Sequence, residues 1–310
     1  MGLIVRNPGT FATVQDAGRF GFRPFGVPTS GPFDDEAHGL ANALVGNPEG
    51  TAALELTGLG GGYEALTSLA LALAGAPMVA TVEREAGGRQ AVQIPQSLTL
   101  RAGDRLVLGG SPVGMRAYLA VRGGWDTPVV LGSRSAESPL RAGDLLPAAP
   151  GMIAVRRPRS HAPEGGPGVP IRILSGPDAL PSDPWEGLAF RVGAEADRMG
   201  IRLEGAAPAV AADPDRRSAP VAPGAVQVAG GRLLVLGVAC GTMGGYPHVA
   251  HVVPADLRRL AQARPGDAIR FRLVSPSEAR AIDREDRRSR AEWLARVRTA
   301  ACDEGLEGGH

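Results

Sequence analysis

The sequence has no lysine, and all 33 of its basic residues are arginine. That absence excludes a Schiff base, a lysine general base and a Walker-type phosphate lysine on this chain. Cysteine is almost as scarce. Cys240 and Cys302 are too few and too far apart in sequence for a disulfide framework or a cysteine-rich zinc site, and they fit a reducing compartment. Net charge is nearly absent too: 32 acidic residues leave a formal +1, so there is no global field for nucleic-acid or membrane phosphates. Long apolar runs are missing. The most apolar stretch, residues 66–80, is interrupted by Ser68, Gly75 and Pro77, is too short to span a bilayer and reads as buried strand. The first residues, MGLIVRNPGTFATVQDAG, contain no sustained apolar segment or small-residue cleavage pattern, so the expected location is the cytoplasm. No Walker loop, GxSxG or HExxH motif occurs, and Tyr63 stands where the third glycine of a dinucleotide loop beginning at Gly58 would fall.

What the chain does have is glycine and proline, 44 and 27 residues out of 310, about twice their usual combined share. They cut the sequence into short pieces and argue against long-helix architecture. With 44% hydrophobic and 21% charged residues, the length suits two globular domains. Strand-length, β-friendly runs bounded by Gly or Pro occur at 3–5, 69–74, 97–100, 105–108, 116–121, 171–174, 232–237 and 268–274. A Gly-Asp turn recurs before an apolar strand in LRAGDRLVL (100–108), LRAGDLL (140–146) and ARPGDAIRF (263–271), suggesting one β module used in both halves. Helices are few. One opens at Ser30, carries the stripe Ala37, Leu40, Ala41 and Leu44, and stops at Gly46-Asn47-Pro48. A second runs from Pro254 to about Ala263. A charged helical tail starts at Pro276, anchored by Ala279, Ile282, Trp293, Leu294 and Val297, with 301–310 frayed. The Gly/Pro-rich, charged stretch 156–171 is the expected boundary, giving an N-terminal β-rich domain (1–160), a C-terminal β domain (165–276) and the tail (277–310).

Three clusters could carry chemistry. In the first, Gln15, Asp16 and Arg19 offer an amide, a carboxylate and a bidentate donor within one turn-rich segment, with Ser30 and Asp34 nearby at an expected helix start. A small anionic or polar ligand would suit them, but from composition alone a solvated loop with an Asp-stabilised turn and a capped helix accounts for them better. The second joins Arg122-Gly-Gly-Trp125 to Gly132-Ser133-Arg134-Ser135, where paired arginines could hold a carboxylate or phosphate or could be ordinary salt-bridged surface turns. The third is Cys240 to His248, followed by His251. A cysteine after an apolar strand reads as a small core residue before it reads as a nucleophile. On a strand, residues 248 and 251 should face opposite sides, so no metal site is expected.

Taken together, VQDAGRFGFRPFGVPTSGPFDDEAHGLANALVGN (14–47), LELTGLGG (54–61), AYLAVRGGWDTPVVLGSRS (117–135), DRMGIRLEG (197–205), SAPVAPGAVQV (218–228) and GGYPHVAHVVPADLRRLAQARPGDAIRF (244–271) resemble one family. This is the 5-oxoprolinase C-type-subunit family, also called allophanate-hydrolase-subunit-2-like or biotin-dependent carboxyltransferase. The resemblance is colinear over about residues 3–280. It implies a mainly β protein with a few helices, arranged as two cyclophilin-like β-barrel-type domains. It also implies a heteromeric complex with A-type and B-type subunits and a small-molecule amide substrate. In one implied chemistry the complex hydrolyses 5-oxoproline to glutamate with ATP; in another, carboxybiotin supplies a carboxyl group to urea or an amide. A non-catalytic, B-type-binding regulatory role is a third possibility. By resemblance Asp16, Arg19 and Asp34 take catalytic roles, and Gln15, Ser30, Arg122, Ser133, Arg134, Arg198, Gln227, Gly244, Gly245, Tyr246 and His248 bind substrate. The chain departs from the family pattern in a shortened loop at 135–141, in Ala-Cys-Gly-Thr-Met at 239–243 where Gln-Thr-Thr is usual, and in His248 where Lys is common.

Overall fold

The computed structural model describes residues 1–158, 168–178, 180, 184–210 and 215–303, with side chains of the last helix described to residue 300. The expected boundary at 160–165 and the last part of the tail, 304–310, lie outside the described residues. The fold is mainly β, and the chain divides into two compact units. Unit 1 takes Met1–Gly18, Asp34–His161 and Arg290–His310; unit 2 takes Arg19–Phe33 and Ala162–Ser289.

Unit 1 contains β1 (Gly2–Asn7), β2 (Phe11–Gln15), α1 (Asp35–Leu44), β3 (Ala53–Thr57), β4 (Gly61–Ala65), β5 (Leu69–Gly75), β6 (Ala80–Glu83), β7 (Arg89–Val92), β8 (Gln96–Leu100), β9 (Arg105–Leu108), β10 (Arg116–Val121) and β11 (Leu145–Pro147). Among the described residues these make one sheet in the order β11-β1-β4-β9-β6-β7 and a second in the order β2-β3-β10-β5-β8. The faces between the sheets form the main core, including Leu3, Tyr63, Leu71, Leu106 and Leu119. Strand β5, LALALAG, shows how one sequence serves two layers. Side chains alternate across a strand, so Leu69, Leu71 and Leu73 enter the sheet–sheet core while Ala72 and Ala74 meet α1 on the opposite face. The small alanines let the helix stripe Ala37, Leu40, Ala41 and Leu44 come close, and Leu294 of the last helix joins the same cluster.

Helix α1 begins at Asp35, not at Ser30 as the sequence suggested. Pro32 disfavours helical backbone at the residue before it, and Asp34 supplies the cap by accepting the Ala37 N–H at 2.9 Å. Ser30 instead sits in unit 2 in the left-handed region (φ 59°), its backbone N–H donating to the Val238 carbonyl.

The three Gly-Asp turns are one structure repeated. Gly103, Gly143 and Gly266 have φ of 82°, 93° and 90°, which glycine adopts without strain. Each following aspartate accepts a hydrogen bond from the N–H three residues back: Asp104 from Arg101 (2.9 Å), Asp144 from Arg141 (2.7 Å) and Asp267 from Arg264 (2.8 Å). Each turn then docks on one strand residue by a reciprocal backbone pair, with Ala65, Val5 and Val192 as the three recipients.

Unit 2 contains β12 (Ile171–Ser175), β13 (Phe190–Ala196), β14 (Gly200–Glu204), β15 (Ala219–Pro220), β16 (Ala225–Ala229), β17 (Arg232–Leu236), β18 (Met243–Gly244), β19 (His248–Val252), α2 (Pro254–Ala261), β20 (Ala268–Ile269), β21 (Phe271–Leu273) and the start of α3 (Pro276–Asp303). Its main sheet runs β20-β13-β14-β17-β16-β19-β12-β21. The first and last members are separated in sequence only by Arg270, whose carbonyl accepts the Ile171 N–H at 2.7 Å, so the sheet curls into a nearly closed barrel. Ile173, Phe190, Leu203, Val235, Val252 and Phe271 contribute to its core. In α3, Ala279 and Ile282 pack with Val253 and Val274 of this unit. No helix among the described residues is long and apolar enough to cross a membrane.

Candidate functional site

Unit 1 carries a cleft of about 580 Å³, lined by Asp16, Gly50–Ala52, Gly123–Asp126 and Arg134 together with Met1 and Pro147–Ala149. Its polar wall is built from a tight hairpin. Val130 and Ser133 exchange backbone hydrogen bonds across Leu131 and Gly132, both with positive φ (52° and 76°), the signature of a type I′ turn. The turn delivers Ser133–Ser135 onto the end of β2. There Asp16 Oδ1 accepts from Ser133 Oγ (2.5 Å), Ser135 Oγ (2.7 Å) and Gly18 N–H (2.9 Å), while Oδ2 accepts from Arg134 N–H (2.6 Å). Burial alone would push the Asp16 carboxyl up; these donors outweigh it and hold the group below its usual range. Asp16 is therefore an ionised clamp. It fixes the backbone of Arg134, whose guanidinium reaches Asp126 at 2.9 Å; the Asp126 side chain is 76% exposed and that of Arg134 31%. An ion pair with one partner this exposed is held weakly. The arginine can exchange Asp126 for a carboxylate entering the cleft.

Unit 2 assembles a second polar group. Strands β16 and β19 pair as Ala225↔His251 and Val226↔Ala250, and then Gln227↔His248, so one step on β16 spans two on β19. This bulge changes the side-chain parity. It overturns the expectation that His248 and His251 face opposite sides: their ring centroids lie 5.5 Å apart. Burial lowers the pKa of both imidazoles, and His248 lowers that of His251 further. Asp178 accepts the His248 N–H (2.7 Å) and pairs with Arg216 (2.6 Å), which holds its carboxyl below the usual range. Gln227 Nε2 reaches the Tyr246 carbonyl at 3.4 Å. A Cβ on Gly244 would fall 2.7 Å from that Nε2 and 3.0 Å from Val221 Cγ1, so only glycine fits there without movement. Cys240 is buried with Val221, Ala225 and Leu236; burial pushes its thiol up, as for a small core residue.

Residues 25–273 match the carboxyltransferase domain, subdomains A and B. The chain belongs to this family. It is 35% identical to the C-type subunit of 5-oxoprolinase from Escherichia coli, over 94% of this chain and 97% of that protein. The crystal structure of TTHA0988 superposes with a TM-score of 0.78 at 37% identity over 87% of this chain, and the Kluyveromyces lactis urea amidolyase with 0.80 at 27% identity over 94%. The chain spans nearly the whole of the E. coli relative, 55% of the TTHA0988 chain and 20% of the urea amidolyase chain.

In unit 1, Asp16, Ser133 and Arg134 come together, with fully buried Gln15 beside them donating to Thr13 Oγ1 (2.9 Å) and the Ala136 carbonyl (2.8 Å). Asp34 caps α1, and Arg122 bonds the carbonyls of Val45 and Met152. Gln227, Gly244, Tyr246 and His248 form the second group. Arg198, buried, donates to the Gly31 carbonyl at 2.8 Å beside Ser30, and the Arg19 N–H donates to the Thr29 carbonyl at 2.7 Å. Gly245 and Tyr246 lie exposed on the loop before β19. Sequence reasoning named Ser135 in the second cluster without giving it a role and did not name Asp126. Ser135 was signalled by its place two residues after Ser133 in a turn, whereas Asp126 carried no signal beyond its position after Trp125.

Proposed function

We propose that this chain is the C-type subunit of an ATP-dependent 5-oxoprolinase, acting with A-type and B-type subunits on a cyclic amide that bears a carboxylate. The observation that carries the reading is the exchangeable Arg134–Asp126 pair at the wall of a cleft. The near full-length correspondence with the C-type subunit of a 5-oxoprolinase supports the choice of carboxylate. Arg134 would take the substrate carboxylate in place of Asp126. Asp16, saturated by donors, would act by positioning Arg134 and not by moving a proton. Among the lining glycines Gly123, whose added Cβ would meet nothing within 4 Å, leaves room for a ring to approach backbone, whereas Gly50 and Gly124 pack against Ala17 and Thr51.

This chain's glycine-rich segment is not built as a phosphate loop for ATP. The glycine-rich segment 58–62 is consumed in packing: a Cβ on Gly60 would lie 2.6 Å from Leu108 Cβ, and one on Gly61 would lie 2.3 Å from the Asn7 carbonyl oxygen. No lysine exists to hold a phosphate. ATP use accordingly belongs to the other subunits in this reading. Reconstitution with neighbouring A-type and B-type proteins should yield glutamate from 5-oxoproline and ATP. Arg134→Ala should raise KM about tenfold or more, since a charge-assisted carboxylate contact contributes about 1.5–3 kcal/mol. An inactive wild-type complex overturns the proposal.

A second reading, carboxyl transfer from carboxybiotin to urea or an amide, is favoured by the urea amidolyase likeness over 94% of the chain. Biotin would have to be carried outside these 310 residues, which contain no lysine for its attachment. Carboxyl transfer from a carboxybiotinylated carrier, without glutamate formation, would select it.

A further inference from the structure

Three of the segments that line the cleft in unit 1 are Asp16, just after β2, the stretch Gly50–Ala52, and the turn Gly123–Asp126. All three are tied to one buried polar strip on α1 and the residues just after it. His38 Nε2 lies 3.2 Å from the Gln15 carbonyl oxygen, one residue before Asp16. Asn42 Nδ2 donates to the Thr51 carbonyl at 2.9 Å. Asn47 Nδ2 donates to Asn42 Oδ1 (2.9 Å) and to the Val121 carbonyl (2.8 Å), and Asn47 Oδ1 accepts the Gly123 N–H (2.8 Å). The two amides therefore join the second wall to the third, side chain to side chain, with no solvent between them.

These residues are as buried as the core. His38, Asn42 and Asn47 are 2%, 0% and 5% exposed. Interior amides give little net stability over apolar groups of the same shape, because each hydrogen bond replaces one made to water. What they add is registration. A buried amide must keep its partners within hydrogen-bond distance, and the interaction fades steeply beyond about 3.2 Å. If either wall slides, an amide is orphaned at high cost.

We infer that His38, Asn42 and Asn47 are positioning residues that set the spacing of the cleft walls, and through it the affinity for the ligand that Arg134 binds. The inference rests on the reading of this cleft as the substrate site. Its chemistry is distinct from that of the groups facing the ligand. None of the three lines the cleft; Asn42 and Asn47 act through the backbone of Thr51 and Gly123, which do, and His38 through Gln15, the residue before Asp16.

The test compares Asn47→Ala with Leu294→Ala in the full chain. Leu294 packs its Cδ1 against Gly39 and belongs to the apolar cluster of α1, so its truncation loosens the same helix without removing a hydrogen bond of the polar strip. Backbone amide exchange at residues 49–52 and 121–126 should accelerate about tenfold in Asn47→Ala, the equivalent of about 1.4 kcal/mol. It should stay near wild type in Leu294→Ala even where the melting temperature falls as far. In the reconstituted complex KM for 5-oxoproline should rise about tenfold in Asn47→Ala, with kcat within about twofold. Equal exchange in the two variants, or a lowered melting temperature with unchanged KM, overturns the inference. Should Asn47→Ala fail to fold, His38→Ala and His38→Gln pose the same question at the first wall. The glutamine keeps an N–H for the Gln15 carbonyl and should restore slow exchange there; identical behaviour of the pair overturns the inference. If the wild-type complex forms no glutamate, the assigned reaction fails while the exchange comparison still decides the network.

Discussion

Replacing Asp16 with asparagine should destabilise unit 1 by about 4 kcal/mol or more at pH 7. The magnitude follows from the four donors on the carboxylate, three on Oδ1 and one on Oδ2. The best placement of the new amide keeps its oxygen at the Oδ1 position and turns its NH2 toward the Arg134 N–H. One charge-assisted bond of about 1.5–3 kcal/mol is lost, and two donors face each other. The three remaining bonds fall from a charged to a neutral acceptor, at roughly half their former strength. The sign of the pH dependence is fixed by the lowered carboxyl pKa. Its contribution is fully present above the unfolded value near pH 4 and is lost as pH falls through the lower folded value. The substituted amide cannot titrate. Urea unfolding of wild type and variant between pH 7 and 2.5 should therefore show a gap that is widest at neutral pH and narrows below about pH 4. A gap under about 0.5 kcal/mol at pH 7, or one that stays constant into acid, would refute the clamp.

The paired imidazoles predict acid sensitivity in unit 2. Both have lowered pKa values, so their contribution is present above about pH 6.5 and is lost as pH falls through the folded values; His248→Gln should flatten the unfolding midpoint between pH 7 and 5, and an unaltered slope would count against it. Among the Gly-Asp turns, Asp104→Ala should cost most, about 3 kcal/mol against about 1 for Asp144→Ala and Asp267→Ala, because Asp104 also accepts from Glu85 N–H and Arg84. Thermal melts that rank the three equally would refute this. Gly39→Ala should change stability by less than about 1 kcal/mol, since its Cβ would come within 2.8 Å of Leu294 Cδ1, the movable end of that side chain, and the shift this requires offsets the gain in helix propensity. In a Leu294→Ala background the same change should be favourable by about 1 kcal/mol through helix propensity, and a double-mutant cycle checks the difference.

Much of the fold could be read from local pattern. Leu69–Ala74, Arg105–Leu108 and Arg116–Val121 are strands within a residue or two of where Gly and Pro bracket them, and α2 and α3 start at the expected prolines. The Gly-Asp turns were visible because one backbone geometry demands one residue pair. Three features were not legible, each for a physical reason. The β-bulge opposite Gln227 defeats counting by twos, so the sequence placed His248 and His251 on opposite faces. Ser30 looks like a helix cap until Pro32 is given its steric weight against the preceding residue. The strip of His38, Asn42 and Asn47 went unassigned because the apolar stripe of α1 explains that helix by itself, while buried polar partners come from segments up to 76 residues away. Of the candidate site, the motif residues Asp16, Ser133 and Arg134 were identified by type; their convergence on one carboxylate depends on a pairing 117 residues long in sequence.

The barrel of unit 2 has a timing implication. Strands β13 and β12 pair on their inner sides with β14 and β19, and their outer edges are covered only by residues 268–273, on either side of Arg270. During synthesis every other strand of that sheet is made before the segment that joins its edges. Until then the sheet presents two unpaired edges, which other chains can recruit. A chain ending before Ala268 should therefore aggregate even though almost the whole hydrophobic interior of the barrel is already encoded. Residues 268–273 act as a clasp: this short segment decides whether the assembled strands become a closed vessel or an open template.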